Sequence, residues 1–138
     1  MKEKRILKPP KRLFHLSEIN HDGEWFKPRV PESICTDGLE DDKIKRVCFS
    51  SSISGAFFAI SPFGDRQKLY VHVPVGIENI AKSGKLCKPT EEQVYDVSTT
   101  NEFWIKKKVK LKCIGKISIG FKTNIYCTKI NFKWIEKY

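Results

Sequence analysis

The chain has 138 residues, enough for one domain that buries a core without disulfide or metal staples. Its composition, 40% hydrophobic and 30% charged, is that of a globular domain, and no apolar run approaches the roughly 20 residues that a helical membrane span needs. A net charge of +10 leaves nucleic acid and acidic proteins open as partners.

Residues 1–11 form a basic leader. Pro9 and Pro10 keep it extended and out of any helix, and no apolar segment follows its charges, so it does not read as a secretory signal and a cytoplasmic protein is expected. From residue 12 to 138 there is neither an internal repeat nor a low-complexity stretch, which predicts a single domain. Arg12 to Ser17 is a short apolar strand, and Asn20-His21-Asp22-Gly23 is a turn before Trp25-Phe26. Prolines, Gly38 and the acidic run Glu40-Asp41-Asp42 describe a long loop over 28–45, of the kind that shapes binding sites.

Arg46 to Ser50 is the next strand. The stretch after it puts Ile53, Phe57 and Ile60 on one helical face, with Ser52 as N-cap. Lys68 to Pro74 alternates as a strand that Pro74-Val75-Gly76 ends, with His72 on its wet face. Ile77 to Lys82 can hold a helical turn before a loop that runs to residue 90. Beyond Glu92, β signals dominate: Gln93-Val94-Tyr95, Phe103-Trp104-Ile105, the alternating Val109, Leu111 and Cys113, and finally Tyr126 to Trp134. Alternation buries one face of each strand, so an α+β domain with mainly antiparallel strands is expected. Trp25, Phe26, Phe132 and Trp134 read as core aromatics.

The charge is unevenly spread. Residues 1–12 carry +5, residues 13–104 carry −4 and residues 105–138 carry +9. Lysines outnumber arginines 21 to 5, a bias that AT-rich coding produces, so a solvated lysine face competes with a nucleic-acid or acidic-protein contact through 105–138. Five cysteines, Cys35, Cys48, Cys87, Cys113 and Cys127, include no CxxC pair, and three histidines complete no zinc spacing. No metal site is expected, and Cys48, Cys113 and Cys127 read as small hydrophobes in apolar strands.

Leu13 to Ser17, Ser50-x-Ser52-Ile53 with the helix through Ala56, the strand ending Val73-Pro74-Val75-Gly76, Lys88-Pro89-Thr90 and Val109 to Ile117 follow one another in a familiar order. Over about residues 12–119 the chain resembles the ADP-ribosyltransferase fold, in layout the small histidine-bearing rifampin type. The resemblance implies a split antiparallel β-sandwich with one or two short helices that clamps NAD. It further implies His15 on the adenosine ribose, backbone at Leu16 and Ser17 on the nicotinamide amide, Ser50 and Ser52 in the middle of the cleft, and Glu102 as the catalytic carboxylate, with His15 beside it. Where that class has a tyrosine on the second strand, this chain has Cys48-Phe49, so Phe49, Phe57, Phe58 or Tyr95 would supply the aromatic face. Thr100 stands two residues before Glu102, which disfavours the arginine-directed variant, and Glu78-Asn79 only approximates the acid of the rifampin type.

These residue types suit that chemistry. A carboxylate stabilises the positive charge that develops on the ribose as its bond to nicotinamide breaks, and an imidazole offers ribose hydroxyls one donor and one acceptor. The implied function is NAD-dependent transfer of ADP-ribose to an unidentified acceptor, whether protein, nucleic acid or small molecule. The alternatives are a non-enzymatic binding or inhibitory protein of a mobile element or phage, gripping nucleic acid or an acidic partner through its basic surface, and a sensor of NAD or ADP-ribose without turnover.

Overall fold

The structure, a computed structural model, describes residues 2–30, 41, 43–60 and 68–138. Among these run β1 (Lys4–Arg5), β2 (His15–Ser17), β3 (Trp25–Phe26), β4 (Val47–Ser50), α1 (Ile53–Phe58), β5 (Lys68–Pro74), α2 (Ile77–Lys82), β6 (Leu86–Lys88), α3 (Val97–Thr100), β7 (Glu102–Ile105), β8 (Val109–Thr123) and β9 (Thr128–Lys137). The strands form two antiparallel sheets, and the class is α+β. One sheet has the order β1-β6-β7-β4. In the other, β2, β5 and β8 lie side by side, and the far edge of β8 is taken first by β3 and then by β9.

A backbone bridge links the two sheets. Phe14 and Ser50 exchange both backbone hydrogen bonds, at 2.7 and 2.9 Å. Beyond that bridge β2 turns to pair with β5 while β4 pairs with β7, so the facing edges of β2 and β4 part.

A bulge decides which face of the second sheet is buried. Register shifts between Val71 and His72, where His72 pairs with Cys113 and Val71 with Gly115. The extra residue on β8 reverses its inside and outside relative to β5. Beyond the bulge Leu69, Val71, Ile117 and Ile119 pack with Phe14, Leu16, Ala56 and Phe57. Before it Val109 and Leu111 join Leu13, Val47, Phe49, Leu86 and Ile105 in a separate core. His72, expected on a wet face, is therefore 0% exposed.

Local signals explain the helices. Ser52, extended at φ −136°, accepts the Gly55 N–H at 3.0 Å and starts α1, which buries Gly55, Ala56 and Phe57. Gly76 takes the left-handed conformation that turns the chain from β5 into α2, and Glu78 and Lys82 sit at the ends of α2 that the helix dipole favours.

Several expectations need correction. The leader is extended but is part of the sheet: Lys4 and Arg5 pair with Lys88 and Cys87, and Ile6 packs on the core. Residues 86–88, expected in a loop, form β6 because Leu86 and Cys87 are buried between β1 and β7. Gln93 to Tyr95 is a turn, held by Thr90 N–H donating to the Gln93 side chain at 3.0 Å, and α3 follows it as a third helix. Trp25 stands 57% exposed with the Lys108 ammonium 5.3 Å from its ring, while Phe26 turns inward. Cys127 is exposed in the turn between β8 and β9. Within the expected loop 28–45, Arg29 bridges Arg46; residues 31–40, including Cys35, and residue 42 lie outside the described residues.

Candidate functional site

Where the edges of β2 and β4 part, a cavity of about 190 Å³ opens. Its lining includes His15, Leu16, Phe49, Ser50 and Glu102, together with Phe26, Lys27, Arg29 and Arg46. His15, Ser50 and Glu102, from three strands far apart in sequence, thus share one cavity.

Pairing explains the convergence. Ser50 is bridged to Phe14 on one side and lies opposite Glu102 on the other, so β2, β4 and β7 contribute to one transverse row. Glu102 is only 5% exposed, and its Oε2 accepts the Trp104 indole N–H at 2.6 Å. The two side chains project from the same face of β7, two residues apart. Trp104 in turn carries the buried Arg46 guanidinium 4.3 Å from its ring centre, and Arg46 Nη1 donates to the Asp41 and Ile44 carbonyls at 2.9 Å.

His15, half-buried, packs edge-on against Phe26 and Phe49 at 5.4 and 6.1 Å. Burial, reinforced by the neighbouring His72, pushes its pKa down to about 4, against the pull of a hydrogen bond with the Cys48 backbone. His15 is therefore neutral at pH 7 and presents an uncharged imidazole to the cavity. His72 behind it is neutral for a geometric reason. Its Nε2 accepts the His21 backbone N–H at 2.9 Å, which fixes the proton on Nδ1, 3.2 Å from the His15 carbonyl. Burial lowers its pKa as well. His21 completes the cluster, 5.5 Å from His72 between ring centres, with Glu24 Oε2 2.6 Å from its Nδ1.

The remaining expected site residues do other work. Ser50 Oγ donates to the Thr100 carbonyl and accepts the Ser52 N–H, and Ser52 Oγ caps α1 and accepts Asn101 Nδ2 at 3.1 Å. Ser52 lies outside the cavity lining, as does Ser17, whose Oγ sits 3.1 Å from His21 Nε2. Phe57 is buried in the core and Tyr95 is exposed on the surface; neither lines the cavity, so Phe49 is the candidate aromatic that does. Lys27, Arg29 and Arg46 were not singled out from the sequence. Arg46 could have been, as a cation opening an otherwise apolar strand.

A second cavity, about 420 Å³, lies between the leader and the end of β5, lined by Pro10, Leu13, Val73, Ile77 and Ile114 among others. Its lining has no carboxylate or imidazole, and its charged side chains are Lys11 and Arg12. Among the described residues no cluster of three His, Cys, Asp or Glu side chains could hold a metal ion, and no helix is long and apolar enough to cross a membrane. Burial raises the thiol of Cys87 to about 11 and that of Cys113 upward, which disfavours either as a nucleophile. Neither family models nor comparisons with curated proteins and solved structures give a match to this chain.

Proposed function

We propose that the protein is an ADP-ribosyltransferase of the split-sandwich type, using NAD as donor toward an acceptor reached through the open side of the cavity. The observation that carries this reading is the shared cavity: His15, Ser50 and Glu102, from strands 35 and more residues apart in sequence, line one space at the parting of two sheets.

The cavity fits one end of a dinucleotide. At about 190 Å³ it is smaller than the roughly 300 Å³ at which whole-ligand pockets begin, and it suits the nicotinamide riboside end. Lys27 and Arg29, exposed in its lining, offer cations to a diphosphate outside it. NAD supplies an ADP-ribosyl group whose C1′–N bond breaks as nicotinamide departs with the bonding pair and the acceptor's nucleophile bonds to C1′. Glu102 stabilises positive charge on the ribose and receives the acceptor's proton. Neutral His15 hydrogen-bonds ribose hydroxyls without adding a charge that would oppose the one developing beside it. Phe49 gives the nicotinamide ring an apolar wall.

Incubation with NAD labelled in its nicotinamide, in the presence of whole-cell lysate as acceptor pool, tests the reading. Nicotinamide release above buffer that disappears in Glu102→Gln supports it. No release, with a folded protein, counts against catalysis, and binding of NAD without release points to a sensor.

A further inference from the structure

The last two strands extend past the body of the domain as a two-stranded arm. In β8, Ile117 and Ile119 are buried, whereas residues 120–123 and the turn 124–127 are exposed, with Ile125 at 89% and Tyr126 at 88%. The turn is built rather than loose. Asn124 Oδ1 accepts the N–H groups of Tyr126 and Cys127 at 2.8 and 3.0 Å, in a turn that presents Ile125 and Tyr126 at the tip. The exposed part of β8 in the arm, residues 120–123, reaches roughly 13 Å.

Register sorts its side chains onto two faces. Ile117, Ile119 and Phe121 lie with Trp134, Phe132 and Ile130, and this face rests on α1 through Phe132 and Phe57, 5.4 Å between ring centres. The other face carries Ser118, Gly120 and Lys122 on β8 with Lys129, Asn131 and Lys133 on β9, while Lys116, beyond a register shift, pairs with Glu136. Lys122 and Lys129 are direct cross-strand partners. Like charges placed opposite one another destabilise a hairpin, so this pairing points to a counter-charge from outside. No acid occurs anywhere from residue 105 to 135, whereas residues 13–104 hold 14 of the chain's 16. AT-rich coding enriches lysine, but it does not clear aspartate and glutamate from one segment.

We propose that this arm grips duplex DNA, its lysine face on the phosphates. A two-stranded ribbon fits the roughly 12 Å major groove of B-form DNA but not the deep, narrow one of A-form RNA. Lysines contact phosphates as point charges and the face has no arginine fork, so the grip is independent of base sequence. Gly120, at the centre of that face with open space where a Cβ would stand, lets the backbone approach the duplex. Tyr126 and Ile125 supply apolar contact with base edges at the tip. The arm is separate from the cavity and its binding needs no NAD.

Fluorescence anisotropy of the full chain with a 20-base-pair duplex across a salt series tests this. Three phosphate-bound lysines at about 0.9 each contribute a slope near −3 in log affinity against log salt, a loss of about 40-fold between 50 and 200 mM. The combined substitutions Lys122→Gln, Lys129→Gln and Lys133→Gln should remove that slope without lowering the thermal melt, since all three side chains are exposed and the Lys122–Lys129 repulsion is relieved. Absence of duplex binding at 50 mM salt, an unchanged slope in the triple variant, or equal affinity for double-stranded RNA or polyglutamate would each overturn the proposal.

Discussion

Ser50 lies directly opposite Glu102 across the β4–β7 pair, and its hydroxyl is engaged by the carbonyl of Thr100, two residues before that carboxylate. The serine thus holds the segment that delivers Glu102. Because the Glu102 carboxylate also accepts the buried Trp104 N–H, it has a structural task beside the chemical one.

Those tasks separate by substitution. Glu102→Ala leaves the Trp104 indole without this acceptor and should cost about 1–3 kcal/mol in urea unfolding. Glu102→Gln keeps a carbonyl oxygen there, so it should lose less than half of that while abolishing nicotinamide release and leaving NAD affinity within a few-fold. If Gln and Ala are equally destabilised, the indole bond is not what Glu102 contributes to folding.

His15→Ala should chiefly weaken NAD binding, read by calorimetry, with residual turnover at saturating NAD. Equal loss of binding and turnover in both the His15 and Glu102 variants, with folding intact, would contradict their separate roles.

Acid should unfold the protein through its histidines. His15 and His72 have folded-state pKa values pushed below the ordinary 6.5, so the unfolded chain binds protons that the folded one refuses. Their contribution to stability is complete above about pH 6.5 and is lost as pH falls, for His15 down to about 4. The His15 share amounts to roughly 3 kcal/mol. Imidazole NMR resonances provide the measurement, and a His15 midpoint near 6.5 would refute the assignment.

Gly55→Ala should destabilise by about 1–3 kcal/mol, because a Cβ there would run into the Thr100 backbone oxygen and the hydroxyls of Ser50 and Ser52. Thermal melts check this, and a neutral result would show that α1 can lift away from α3.

Ser52→Ala removes the cap of α1 and the acceptor for Asn101 together. A loss of about 1 kcal/mol or somewhat more is expected from the cap. Since Ser52 does not line the cavity, NAD affinity should fall far less than in His15→Ala.

Short-range signals made much of this architecture legible in the sequence. Lys68 to Pro74, the cap at Ser52, the turn of helix at Ile77–Lys82 and the alternation from Val109 onward all depend on neighbours within a few residues. The burial of His72 is not legible locally, because it depends on a bulge against Cys113, 41 positions away, and on the His21 turn folding over it. Leu86–Lys88 looks like a loop until β1 and β7 flank it. In the cavity, His15, Ser50 and Glu102 are residues that the resemblance singles out from the order of short motifs, whereas the places of Phe57 and Tyr95 depend on packing that no local pattern encodes.

The fifteen residues of β8 hold β3, β5 and β9 to themselves, and β2 joins only through β5. The strands made earlier therefore keep bare edges until residues 109–137 have been made. Such long-range closure makes folding slow and exposes unpaired edges to self-association.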